Sequence, residues 1–146
     1  MKVKDQNYKN KTIDSFSRQS VMKMLSAKLM IHEPGAISIS FPFQAEYTQQ
    51  NGYIHAGIVT TILDSACGYA AFTLMPPNLD VLTVEFKVNL LRPAKGEEFT
   101  AKGKVLKAGK VISVVEGIVY SSDYGEGKPV ASMTATIMAI DSSKEQ

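Results

Sequence analysis

Apolar residues recur at two different spacings along this chain, and the points where the spacing switches divide it into elements. From Asp14 onward Val21, Leu25 and Leu29, with Met22 and Met24 beside them, follow a helical period, and Asp14 or Ser15 stands where a helix cap belongs. Pro34-Gly35 predicts the end of that helix. Over Ala36 to Tyr47 the spacing drops to two, with Ile37, Ile39 and Phe41 alternating against serines, which predicts a half-buried strand. Pro42 favours an edge or a bulge there.

A polar loop containing Gln49-Gln50-Asn51-Gly52 then leads into a long apolar segment, predicted as a helix from about Ala56 to Leu74 and stopped by Pro76-Pro77. The rest of the chain is strand-rich. In Val81 to Leu91 the even positions Leu82, Val84, Phe86, Val88 and Leu90 are apolar and Thr83, Glu85, Lys87 and Asn89 are polar, so the even set is expected to face the core. Three further strands are predicted at about Glu98–Lys107, Val111–Tyr120 and Pro129–Ile140, joined by glycine-bearing turns. One strand, one buried helix and then an antiparallel meander make an α+β plan in which a curled sheet wraps the helix. Residues 1–12 are read as a flexible tail and 13–141 as a single domain.

Composition narrows the possible roles. At 146 residues the chain suits one well-buried domain. A net charge of +2, with basic residues concentrated only in a short N-terminal stretch, makes nucleic acid an unsuitable partner. The single Cys67 excludes an intrachain disulfide, metal-ligand clusters such as CxxC are absent, and the N-terminus lacks a secretory pattern, so a reducing, cytoplasmic setting is expected. The long apolar helix is not read as a membrane span, because Asp64 near its middle would cost about 2.5–3.5 kcal/mol in a bilayer.

Asp64 is the lone charge of that helix, and a carboxylate amid apolar residues needs a partner or a chemical task. Gly57, Thr60, Thr61, Asp64, Gly68 and Ala71 share one small or polar helical face, suited to close approach. At the helix start, beside His55 and Ala56, orphan N–H groups and a partial positive charge suit a carbonyl oxygen that becomes negative during acyl transfer. Asp64 lies eight residues beyond Ala56, roughly 12 Å along the axis. Both cannot act on one carbonyl carbon within one chain, so a two-fold dimer with antiparallel helices is expected, giving two shared sites.

These residues resemble the hotdog-fold acyl-CoA thioesterases of the phenylacetate-degradation (PaaI-like) type. Gln49, His55-Ala56-Gly57 and Asp64 resemble the family's amide, His-Gly-Gly and acid, and the likeness extends through Ala66-Cys67-Gly68-Tyr69-Ala70, Thr83 to Asn89 and Arg92-Pro93-Ala94, over roughly residues 35–140. The resemblance implies a hotdog fold. It implies Asp64 as general base or nucleophile on a thioester carbonyl, Gln49 of the other subunit as the orienting amide, the Ala56 N–H as oxyanion donor and Thr83 as a hydroxyl that helps hold the water. His55 matches the motif histidine, which shapes the loop and helix start. The chain departs from the family in having Ala56 where the first glycine belongs, and strand alternation puts Thr83 on the polar face.

The same residues admit other roles. Asp64 can be a buried carboxylate satisfied by Thr60 or Thr61, Gln49 a polar turn, His55 a cap and Cys67 a small core residue; His32 is expected at a helix C-terminus without chemistry. Lys87, Arg92, Lys95 and Lys110 fit a solvated face or contacts to coenzyme A phosphates. The leading expectation is hydrolysis of an acyl-CoA to a carboxylic acid and free coenzyme A, with no metal or redox cofactor, by a homodimer or a dimer of dimers. An enoyl-thioester hydratase on the same fold and a non-catalytic acyl-CoA-binding module are the alternatives.

Overall fold

The computed structural model describes residues 1–141 and Ser143. Helices α1 (Tyr8–Arg18) and α2 (Ser20–Met24) precede the hairpin of β1 (Lys28–Glu33) and β2 (Ala36–Pro42); a short 3-10 turn (Ala45–Tyr47) leads to the long helix α3 (Ala56–Phe72). Strands β3 (Leu79–Leu90), β4 (Glu98–Ala108), β5 (Ile112–Ser121) and β6 (Ala131–Asp141) follow. All six strands form one antiparallel sheet in the order β1-β2-β4-β5-β6-β3, so β1 and β3 are its edges. The sheet is open and α3 packs across it, the hotdog arrangement. Among the described residues no helix is long and apolar enough to cross a membrane.

Alternation explains the inner face of the sheet. Ile37, Ile39 and Phe41 of β2, Phe99, Ala101 and Val105 of β4, Val115 and Val119 of β5, and Ala131, Met133, Ala135 and Ile137 of β6 are all buried against α3. Phe41 and Phe99 are cross-strand partners and stack with ring centroids 5.2 Å apart. Helix and sheet approach so closely that a Cβ on Gly103 would lie 2.3 Å from the Ala66 carbonyl oxygen, and one on Gly117 would lie 2.9 Å from Cys67 Sγ. The close approach is therefore made by the Ala66-Cys67 side of α3. The face of Gly57, Thr61, Asp64 and Gly68 is left half-buried or exposed.

Two of the predicted elements are corrected. The first helix begins at Tyr8, before the expected start at Asp14, and its N-cap is Asn7. Residues 5 to 12, read as part of a flexible tail, are docked instead: Asp5 and Thr12 are buried, and Lys11 Nζ donates to the carbonyls of Met75 (3.1 Å) and Pro76 (2.9 Å). Lys11 also pairs with Asp5 at 3.5 Å and lies 4.5 Å from the Phe72 ring centroid. Burial lowers the Lys11 pKa, against the attraction of Asp5. The helix does not run on through Leu29, because Ser26 takes a left-handed φ of 53° and residues 28–33 pair with β2. His32 consequently sits in a strand, where Nε2 meets Ser38 Oγ at 3.0 Å, and caps no helix.

The second correction concerns β3. Its even positions are not the buried set: Leu82 is 48% exposed, Val84 55%, Phe86 42% and Leu90 55%. Thr83 pairs with Ile137 and Glu85 with Thr136, so Val84 is an extra residue in a bulge and the inward phase changes there. Before the bulge the odd residues Val81 and Thr83 share the face of Ala139 and Ile137; after it the even residues Phe86 and Val88 share the face of Ala135 and Met133. An uninterrupted alternation in the sequence conceals the shift.

Gly103→Ala should destabilise the fold by about 1–3 kcal/mol, because the added methyl meets backbone that cannot rotate away; a lowered urea midpoint with an unchanged slope would show it.

Candidate active site

The start of α3 is built by His55. Its backbone N–H donates to the Tyr47 carbonyl at 2.8 Å, its carbonyl accepts from Ile58 and Val59, and its side-chain Nδ1 accepts from the Gly57 N–H at 2.8 Å. A Cβ on Gly57 would come within 3.0 Å of that nitrogen, which accounts for glycine at this position. His55 is thus the helix cap. The cap leaves the Ala56 N–H among the orphan donors of the first turn. The Gln49 Oε1 accepts from the Asn51 N–H and, at 3.4 Å, from the Tyr53 N–H, so the side chain closes the turn by its oxygen. Gln49 and Ala56 both line a mainly apolar cavity of about 460 Å3 with Tyr53, Leu90 and Arg92.

Asp64 sits two turns further along α3. Its Oδ1 accepts from the Thr83 hydroxyl at 2.7 Å, across the gap between the helix and β3. Thr83 reaches it because the strand is inward-facing at odd positions before the bulge, contrary to the alternation that placed it outside. Thr60 and Thr61, the other candidate partners, donate instead to the carbonyls of Ala56 and Gly57, each at 2.8 Å. Among the described residues Asp64 Oδ2 has no hydrogen-bond partner in the protein. A carboxylate held by one oxygen and open at the other can take a proton from a bound water or attack an electrophile.

Asp64 and Thr83 border a cavity of about 490 Å3, walled on its far side by Ser15 and Arg18 of α1 and by Gln19, which caps that helix. Two hydrogen bonds hold that wall to α3: Ser65 Oγ donates to Gln19 Oε1 at 3.2 Å, and Ser15 Oγ lies 3.3 Å from Tyr69 Oη. The α1 residues were not anticipated as part of a site, since their place depends on how α1 docks. Within one chain the structure brings Asp64 and Thr83 together and brings Gln49 and Ala56 together, but in separate cavities.

Cys67 takes no part in either cavity. It points at the sheet, and burial, reinforced by the charges of Asp64 and Glu116, pushes its thiol up to about 12.

An open antiparallel sheet laid over one long helix, with a lone carboxylate on the helix flank and a capped helix start, defines a hotdog-fold acyl-transfer scaffold. Residues 51–128 match the model of the thioesterase superfamily. The chain belongs to that superfamily and is a thioester hydrolase. A thioesterase family protein from Silicibacter pomeroyi has a crystal structure that superposes with a TM-score of 0.88 and is 48% identical, covering 92% of this chain and 98% of that one. The PaaI protein of the phenylacetic acid degradation operon of E. coli shares the fold at a TM-score of 0.83 and 18% identity, over 92% of this chain and 94% of that one. The medium/long-chain acyl-CoA thioesterase YigI of Escherichia coli is 28% identical over 98 residues, 58% of this chain and 61% of YigI.

The Cys67 shift carries a prediction with a definite sign. Between the ordinary thiol value of 9.0 and about 12 the unfolded chain loses this proton while the folded chain keeps it. Stability should therefore be insensitive to this group below pH 9 and fall as pH rises above it, by at most about 1.4 kcal/mol per pH unit. Urea unfolding of wild type and Cys67→Ala across pH 8 to 10.5 isolates the effect, and a slope shared by both proteins would rule it out.

Proposed function

We propose that this chain is a cytoplasmic acyl-CoA thioesterase in which Asp64 activates water in a site shared between two copies of the chain. The observation that carries the reading is the Asp64 carboxylate, fixed by Thr83 through one oxygen and open through the other, at the edge of a substrate-sized cavity. Water attacks the thioester carbonyl carbon as Asp64 takes its proton; the C–O bond forms, the tetrahedral oxyanion collapses, the C–S bond breaks, and the proton passes to the departing thiolate. Direct attack by the carboxylate, which breaks the C–S bond, releases the thiolate and gives a mixed anhydride that water then opens, uses the same geometry. Water is the only co-reactant, and the scheme calls for no metal or cofactor.

The oxyanion needs donors that Asp64's own neighbourhood lacks. The Ala56 N–H at the positive end of α3 and the free amide nitrogen of Gln49 are suitable, but they line the other cavity. A homodimer that sets two α3 helices antiparallel joins each Asp64 to the opposite chain's helix start. The unpaired edge of β3, with Leu82, Val84, Phe86 and Leu90 exposed along it, supports pairing of two copies there, and two such dimers can associate further. The likeness to YigI, a medium/long-chain acyl-CoA thioesterase, supports acyl-CoA as the substrate class.

Asp64→Asn should lower kcat for acyl-CoA hydrolysis by about 10²–10⁴-fold without loss of folding. Free-thiol release from short, medium, long and aromatic acyl-CoA esters checks this, and full activity in the variant would sink the mechanism. The shared site has its own test. Two inactive variants, Asp64→Asn and Gln49→Ala, when unfolded together and refolded as a mixture should regain about a quarter of wild-type activity, since half the dimers then carry one intact site. No recovery, with mixed dimers shown to form, would place the whole site in one chain.

A further inference from the structure

Gly68 lies four residues beyond Asp64 on the same face of α3, one turn and about 6 Å along the axis. Glycine is among the poorest residues for a helix interior, so its presence there calls for a reason. At Gly103 and Gly117 the reason is contact, as backbone or sulfur occupies the space of a Cβ. At Gly68 a Cβ would meet nothing within 4 Å. No neighbour in the chain requires a glycine, φ there is ordinary helical, and the space it leaves is part of the Asp64 cavity.

We propose that Gly68 is a specificity-determining residue: the missing side chain makes the room in which the acyl group lies, between Asp64 on α3 and Gln19 at the end of α1. The inference rests on the thioesterase reading for the identity of the occupant. A thioester carbonyl within reach of Asp64 puts Gly68 beside acyl carbons only a few bonds further on. The residue therefore gauges the width of the acyl group near the carbonyl, and the class it admits is acyl groups branched close to that carbon. The opposite wall cannot yield easily, because Gln19 is tied to Ser65 and Ser15 to Tyr69.

The test compares butanoyl-CoA with 3-methylbutanoyl-CoA and 3,3-dimethylbutanoyl-CoA, which differ in width at equal backbone length. Gly68→Leu should reduce the branched-to-linear ratio of kcat/KM by about tenfold or more, and Gly68→Ala by a smaller factor. An equal loss on all three substrates, or an unchanged ratio, overturns the proposal. A second readout needs no turnover: Gly68→Ala should raise Tm by about 2–4 °C, since the helix gains and nothing is displaced. A lower Tm would mean that the space is filled in the working protein and would also overturn it. Calorimetric Kd values for non-hydrolysable thioether analogues of the same three esters separate the two ideas. If wild type releases no thiol from any ester the thioesterase reading falls, and the ratio of these Kd values in wild type and Gly68→Leu still decides the role of Gly68.

Discussion

The rest of the molecule depends on how closely α3 lies against the sheet. Gly103 and Gly117, on adjacent strands and paired directly with each other, let the Ala66-Cys67 side of the helix descend onto the backbone of β4 and β5. A side chain at either glycine would hold the helix away and open the core around Leu63 and Ala70, both fully buried. With that side committed to the sheet, 3.6 residues per turn leave Asp64 and Gly68 on the flank, facing β3 and α1. The carboxylate is half-buried because of a contact made on the other side of its own helix.

Two further devices complete the surroundings of that carboxylate. The bulge at Val84 changes the phase of β3, so Thr83 faces inward and takes Asp64 Oδ1, while the residues beyond the bulge continue the inner face. The Lys11 clamp fixes α1 over the end of α3, through two carbonyls, an aspartate and an aromatic ring. A half-buried ammonium with this many partners holds the N-terminal helix as a fixed wall of the cavity. At the opposite end of α3, His55 ties the loop to the helix and leaves the Ala56 N–H at the positive pole. One helix thus presents a donor end and a carboxylate flank about 12 Å apart, and in the proposed dimer each is used by the other chain's counterpart.

Several misreadings of the sequence share one cause, which is that local pattern does not report what pairs with it. Val21, Leu25 and Leu29 fit a helical period, yet Leu29 and Ile31 also fit a strand, and the ladder offered by β2 decided between them. Lys11 looked like one more charge of a polar tail, because its partners at residues 75 and 76 are far away in the sequence. Thr60 and Thr61 stand one turn from Asp64 on its face of the helix, but their hydroxyls bond to carbonyls a further turn back, and the partner came from another element.

The sequence by itself determined the long helix and its stops, the alternating inner face of β2, the existence of β4, β5 and β6 as strands joined by turns, and the presence of one carboxylate in an apolar helix beside a cappable start. These are consequences of residue spacing and of the cost of placing a charge among apolar neighbours, and both are local. Tertiary structure alone decided the inward phase of β3, the docking of α1 as a cavity wall, and the choice of Thr83 as the partner of Asp64. A bulge, a half-buried lysine and an edge strand owe their effects to groups brought together only when the chain closes on itself, and no periodicity along the chain encodes which groups those are.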